Sequence, residues 1–204
     1  MNEILESGIL DILQSVGLII ASAMAIWGIN SWRREARWKR KYELAEEVLA
    51  CIYESYQAIK TIRNPIGYTG EGSSREKADN ETPEETKIYN QAYVVQERYN
   101  QNKKPFEKLY TLKFRFSALY GRQYEKHFNQ FAVALNEIFF AAQQIASIRL
   151  GHYGDDRQEN NKIMIESRKI LYGSFNKKDE FDEKIEVAIK EIEDKCRLVI
   201  GKIN

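Results

Sequence analysis

An uncharged apolar stretch near the N-terminus constrains this chain more than any other feature. It runs from Ile12 to Trp32 and contains no Asp, Glu, Lys or Arg. About 21 residues in a helix, at 1.5 Å per residue, match the roughly 30 Å hydrocarbon core of a bilayer. The stretch therefore predicts a transmembrane helix, and we expect the lipid bilayer to be a partner of the chain.

Two other interpretations of this stretch are open. A secretory signal peptide carries positive charge before its apolar core, whereas here Glu3, Glu6 and Asp11 come first and no Lys or Arg does. Tryptophans also lie at and just after the end of the stretch, at positions 27, 32 and 38, in place of the small residues of a cleavage site. A buried core helix is the second alternative, although such helices seldom run this far without a charge.

A cluster of six basic residues follows the stretch at once. Cytoplasmic flanks of transmembrane helices carry the excess of Lys and Arg. We therefore expect a single-pass protein of the inner (cytoplasmic) membrane, with a short N-terminus outside and residues 33–204 inside. The cluster could also contact anionic headgroups, at about 1 kcal/mol per basic residue. The predicted membrane-surface residues are Arg33, Arg34, Arg37, Lys39, Arg40 and Lys41.

The charge balance argues against a basic nucleic-acid platform. The 204 residues carry a net charge of +1; residues 1–32 carry −3 and residues 33–41 carry +5, which leaves −1 for residues 42–204. RNA contact would thus need a local patch or one assembled between subunits. We divide the chain into 1–32 (outside N-terminus and transmembrane helix), 33–41 (basic juxtamembrane segment) and 42–204 (cytoplasmic domain).

The cytoplasmic part has an all-helical pattern. Only three prolines occur, and the two cysteines and two histidines show no paired zinc-ligand spacing. We therefore expect neither a metal nor another cofactor. The predicted fold class is all-α, with the transmembrane helix continuing into a helical bundle and with residues 66–82 as a mobile loop. Helices are predicted at about 8–64, 83–120 with a kink or break at Pro105, 122–149, 158–172 and 178–202, with residues 173–176 as the break before the last one. Each of four helices has an apolar stripe that we expect to be buried: Leu44, Val48, Ile52, Ile59 and Ile62 in the first; Phe106, Leu109, Tyr110, Leu112, Phe116 and Leu119 in the second; Phe128, Phe131, Leu135, Ile138 and Phe139 in the third; Phe181, Ile185, Ala188, Ile192, Val199 and Ile203 in the last.

Two faces of the predicted membrane helix suggest self-association. Small residues recur every fourth position, at Gly17, Ala21 and Ala25, and this pattern lets helices approach closely. A neighbouring face is modestly polar and could line a pore in a ring of subunits, since a lone helix encloses nothing. The alternative is that these small and polar residues only reflect the usual composition of membrane helices, in which Gly, Ala and Ser are common. The predicted pore-lining residues are Asp11, Gln14, Ser15, Leu18 and Ser22.

Arg122 and His127 form an R-x4-H pattern, the arrangement used by HEPN-type ribonucleases. Histidine titrates near neutral pH and can move protons, whereas arginine is a permanent cation suited to a phosphate. The pattern is short enough to arise by chance. Residues five apart on a regular helix diverge by about 140°, so a shared site requires Arg122 to lie at an irregular helix end. The alternative is Arg122 paired with Glu125, with His127 at the core edge.

One membrane helix, a basic cluster, an all-helical domain and a single R-x4-H pattern (Arg122 and His127) together resemble the membrane accessory protein of type VI-B CRISPR systems. The resemblance implies a HEPN-like fold and a ring-shaped homo-oligomer that forms a membrane pore. Such a pore would strengthen antiviral defence when an RNA-guided RNA nuclease is activated. Active HEPN ribonucleases often have Asn, Asp or His after the arginine, whereas this chain has Gln123, which points away from nuclease activity.

Three functions follow from these patterns. The first is a pore-forming accessory effector of antiviral defence that permeabilises or depolarises the membrane. The second is a membrane-tethered, metal-independent ribonuclease in which Arg122 stabilises the phosphate and His127 is the acid or base. The third is a non-enzymatic membrane scaffold.

Overall fold

The computed structural model describes residues 2–172 and 179–201, with side chains from residue 15 onward. Within these ranges all regular structure is helical, which confirms the predicted all-α class. A 3-10 turn at Arg122–Tyr124 precedes the fourth α-helix. The α-helices are α1 (Asn2–Ile62), α2 (Pro83–Gln101), α3 (Lys104–Tyr120), α4 (Glu125–Arg149), α5 (Arg157–Leu171) and α6 (Glu180–Ile200).

The chain divides into two compact units, Met1–Glu43 and Leu44–Asn204. All described residues of the first unit belong to α1. The second unit contains the end of α1 and all the helices that follow it. It also contains the hydrophobic core.

Helix α4 is the centre of the second unit and contacts α2, α3, α5 and α6. Its inward stripe follows the 3.6-residue period of an amphipathic helix. Phe128, Phe131, Leu135 and Ile138 are buried as predicted. Phe139, predicted on the same face, is half-buried, and its ring meets that of Tyr99 on α2 edge to face.

The predicted stripes at the two ends of the domain are also buried. In α1 the predicted residues are all buried, each at most 3% exposed: Leu44, Val48, Ile52, Ile59 and Ile62. In α6, Phe181, Ile185, Ala188 and Ile192 are buried and Val199 is half-buried. Ile203, the last residue of that predicted stripe, and residues 173–176, predicted as a helix break, lie outside the described residues.

The second predicted helix is in fact two helices. Helix α2 ends at Gln101 and α3 begins at Lys104, so the break precedes Pro105. Proline fits the first turn of a helix, where a missing N–H leaves no hydrogen bond unmade. Tyr110 and Leu119 were predicted on the buried side of α3 but are 64% and 47% exposed. Both lie off the inward stripe of this helix, which consists of Phe106, Leu109, Leu112 and Phe116.

The connection from α1 to α2 has no helix, as predicted, but it is held by a buried arginine. Arg98 of α2 is 7% exposed. Its Nε and Nη2 donate to the two carboxylate oxygens of Glu71 at 2.5 and 2.8 Å. The same guanidinium donates to the backbone carbonyls of Ile62, Asn64 and Ile66. One side chain thus shapes the first half of this loop, and sequence reasoning missed it.

A second buried arginine joins three elements. Arg63, which follows α1 directly, is 2% exposed. It donates to the carbonyls of Lys169 and Ile170 at the end of α5, at 3.0 and 2.7 Å. It also donates to Asp179 and Asp182 at the start of α6, at 2.8 and 2.9 Å. The last carbonyls of a helix have no partner within the helix, so Arg63 satisfies acceptors that burial would otherwise leave unpaired.

Candidate functional site

The apolar stretch of α1 is exposed in the part described, apart from the half-buried Ser31. Among the residues that the structure describes, two helices, α1 and α4, are long and apolar enough to cross a membrane by length and composition. None of the most apolar window of α1 is buried, whereas 39% of that of α4 is. The apolar surface of α4 is thus used partly by the core, whereas none of the most apolar window of α1 is buried.

The exposed side chains of this stretch are large. Leu18, Ile19, Met24 and Trp27 are 67% to 71% exposed. Burying one such side chain in an apolar environment is worth about 1.5–3 kcal/mol. A continuous apolar surface of this kind marks a membrane or protein interaction site. An apolar helix that is long enough to span a bilayer and is not buried by the described chain supports membrane anchoring.

The predicted association face is sterically open. A Cβ atom added at Gly17 would meet no atom within 4 Å, so nothing in the described chain requires glycine there. The same holds for Gly28, which lies three residues after Ala25 and continues the stripe of small residues. Sequence reasoning did not include Gly28, although helical spacing from Ala25 was the available signal. Association through Gly17, Ala21 and Ala25 stays a prediction.

The predicted pore-lining face is described only in part. Asp11 and Gln14 lie outside the residues with described side chains. Ser15, Leu18 and Ser22 are exposed. The Ser22 hydroxyl donates to the Leu18 carbonyl at 2.8 Å, so its proton is already used within the helix. Ser22 can therefore face either lipid or water without leaving a donor unpaired.

Most of the basic cluster lies on one side of the helix. All six predicted membrane-surface residues are exposed. At 3.6 residues per turn, five of them fall within about 120° of the helix circumference, and Lys39 lies opposite. Lys39 faces Glu43 at 4.0 Å. Such a one-sided array suits a flat anionic surface. The five residues on the shared side are Arg33, Arg34, Arg37, Arg40 and Lys41.

The R-x4-H residues lie at a helix start, where the catalytic interpretation needs them. Gly121 ends α3 with φ of +104°, which residues other than glycine rarely adopt. Arg122 then opens the 3-10 turn, and His127 follows in the first turn of α4. Arg122 is 88% exposed, and its Nε donates to Glu125 Oε1 at 3.1 Å. This is the ion pair of the alternative interpretation.

His127 is half-buried at the edge of the core. Burial lowers its pKa and Lys126 lowers it further, while Glu191 of α6 acts in the opposite direction. No described hydrogen bond joins His127 to Arg122. A carboxylate beside the arginine also opposes the approach of a phosphate. The arrangement in one copy therefore favours a structural role, and catalysis by Arg122 and His127 stays a prediction.

The two cysteine thiols, both in the second unit, are inaccessible. Cys51 and Cys196 are both buried and unbridged. Burial raises the pKa of the Cys51 thiol to about 11 and that of Cys196 to about 12. Within the described ranges, no three His, Cys, Asp or Glu side chains are grouped so as to hold a metal ion.

Comparison with protein-family models, curated proteins and solved structures finds no match to this chain. The likeness to the type VI-B accessory protein therefore depends on the sequence pattern alone.

Proposed function

We propose that the chain is a single-pass protein of the inner membrane and that copies of its N-terminal helix assemble into a ring-like pore. In this proposal it acts as an accessory effector of antiviral defence, linked to an RNA-guided RNA nuclease. The observation that supports it best is the unburied apolar stretch of α1. Helix α4 is partly buried by its neighbours, whereas none of the most apolar window of α1 is buried.

The direction of insertion follows from the basic face. Arg33, Arg34, Arg37, Arg40 and Lys41 would lie at the cytoplasmic headgroups, and the excess of positive charge keeps that end of the helix inside. The second unit, residues 44–204, would then be cytoplasmic. Trp27 and Trp32, 70% and 68% exposed, would lie towards the inner interface, where tryptophan is enriched.

Insertion can be measured with the chain's own tryptophans. All three, Trp27, Trp32 and Trp38, belong to the first unit. Full-length protein reconstituted in phospholipid vesicles should show tryptophan quenching by lipids brominated near the headgroup end of their chains. Quenching no greater than that of a soluble tryptophan peptide would exclude the span.

Pore formation is tested by dye release and by substitutions matched in size. Vesicles containing the full-length chain should release a trapped dye. Ala21→Leu should reduce release because it adds bulk to the stripe of small residues. Ala23→Leu is the matched control, since the same bulk is added on about the opposite side of the helix. Equal release from both variants would contradict assembly through this stripe.

The polar face gives a second, independent set of variants. Ser15→Leu and Ser22→Leu should lower dye release and depolarisation in cells that also contain the activated nuclease. Unchanged influx with intact defence would count against the pore. Defence that survives deletion of residues 12–32 would favour the scaffold. RNA cleavage in the presence of a chelator, lost in His127→Ala, would favour the ribonuclease.

A further inference from the structure

The second unit contains a cleft that none of these functions uses. It is bounded by α2, α4, the end of α5 and loop residues 64–71, and its volume is about 830 Å³. This volume falls within the range of about 300–1,000 Å³ that is typical of small-molecule sites. Its floor is apolar, as such sites generally are, and includes Val95, Ala142, Ala146 and Leu171.

Two arginines line this cleft, and their positive charges are not neutralised by a described carboxylate. Arg149 is at the end of α4 and Arg168 is near the end of α5, and both are exposed. Arg149 donates to the neutral amide oxygen of Gln91. Within the described residues, neither arginine pairs with a carboxylate. Guanidinium groups match phosphate oxygens in both charge and geometry.

The carboxylate among the described lining residues does not cancel this charge. Glu71 is held through both oxygens by the buried Arg98, and that hydrogen bonding lowers the pKa of Glu71. The two groups neutralise each other and fix the loop that forms one wall. Arg149 and Arg168 therefore leave a local positive charge in a stretch, residues 42–204, whose net charge is −1.

Aromatic rings supply the other half of a recognition site. Tyr68 of the loop and Tyr172 after α5 line the cleft and are 81% and 49% exposed. Exposed tyrosine rings can stack on the planar face of a base. We propose that this cleft binds a nucleotide, with its phosphates on Arg149 and Arg168 and its base against the tyrosines and the apolar floor.

The experiment uses the full-length chain in detergent and titration calorimetry with three separate probes: ATP, AMP and inorganic phosphate. ATP should bind saturably, AMP more weakly and phosphate weakest. Arg149→Glu with Arg168→Glu should weaken ATP binding by at least about 10-fold, because two charge-assisted contacts are lost. Tyr68→Ala with Tyr172→Ala should weaken ATP and AMP binding while leaving phosphate binding unchanged.

Arg157→Glu is the matched control, since Arg157 lies on α5 and is exposed but is not among the lining residues. It should bind ATP as the native chain does. Far-UV circular dichroism establishes that each variant is folded. Four results would each overturn the proposal: no saturable ATP binding up to about 1 mM, phosphate binding as tight as ATP, unchanged affinity in the double arginine variant, or equal loss in Arg157→Glu. Dye release is a separate readout, so failure here does not bear on the pore.

Discussion

Arg63 is the residue whose removal should most destabilise the second unit. The side chain is 2% exposed and makes four hydrogen bonds, two to the α5 carbonyls and two to Asp179 and Asp182. Its guanidinium also lies over the Phe181 ring, 4.0 Å from the ring centre. Arg63→Met keeps much of the length but leaves two carbonyls and two poorly exposed carboxylates without their partner.

The expected loss is large compared with the stability of a domain. Removing one member of a buried ion pair costs about 3–5 kcal/mol, against a total of about 5–15 kcal/mol for a typical domain. With a urea dependence of about 2 kcal/mol per M, the midpoint should fall by about 2 M. Arg63→Lys should lie between the native chain and Arg63→Met, because it keeps the charge but loses the planar fork.

Urea unfolding of the full-length chain in non-ionic detergent, followed by far-UV circular dichroism, measures this loss. Tryptophan fluorescence would not, since all three tryptophans precede the second unit. The matched control is Arg115→Met. Arg115 is 55% exposed and pairs with Glu47 at 2.9 Å, and such an exposed pair is worth at most about 1 kcal/mol.

A rescue variant separates two causes of the destabilisation: the loss of the hydrogen bonds of Arg63, and the unpaired carboxylates that its removal leaves. Asp179→Asn and Asp182→Asn, added to Arg63→Met, should recover part of the loss, because the uncompensated carboxylates are removed. Asn can still accept from the Asp182 N–H at the start of α6, as Asp179 does at 2.9 Å, so the cap is kept. A loss in Arg63→Met no larger than in Arg115→Met would refute this reasoning.

Three further predictions concern acid, thiols and the R-x4-H residues. Hydrogen bonding to Arg98 lowers the pKa of Glu71, and that to Arg75 lowers the pKa of Glu81 to about 2. Both carboxylates therefore stabilise the fold above their ordinary pKa of 4.5, and urea midpoints should fall as pH drops below that value; a flat profile would contradict this. Cys51 and Cys196 should resist maleimide labelling near neutral pH until the domain unfolds, because burial raises both pKa values. Arg122→Ala should change stability by no more than about 1 kcal/mol, and a larger loss would mean that its exposed pair with Glu125 is more important than its geometry indicates.

Periodicity in the sequence was enough to predict the inward faces of α1, α4 and α6. Apolar residues three and four apart must share one side of a helix, and the largest cluster of them becomes the core. The same rule failed for Tyr110 and Leu119, which are apolar but lie off the inward stripe of α3. An apolar residue in a pattern shows what could be buried, but the neighbouring helices determine which side is covered.

The buried arginines could not be predicted from local sequence. Arg63 contacts Ile170 and Asp182, which are 107 and 119 positions away. Nothing near Arg63 in the chain distinguishes it from an exposed arginine such as Arg115. Arg98 is similar, since it contacts the end of α1 and the loop after it, up to 36 positions earlier in the chain. Its neighbours in α2 gave no indication that Arg98 is buried or that it contacts the loop. The composition of the loop alone suggested mobility.

Burial is what separates the two apolar helices of this chain. Composition and length would allow either α1 or α4 to cross a membrane. Four helices pack on α4, so folding removes much of its apolar surface from water. The stretch of α1 keeps Leu18, Ile19 and Trp27 exposed, and at about 1.5–3 kcal/mol for each such side chain the total rivals the stability of a whole domain. The second unit has an enclosed core of its own, whereas none of the most apolar window of α1 is buried. A bilayer would cover every side of such a stretch, whereas a partner protein bound to one face would leave the others in water.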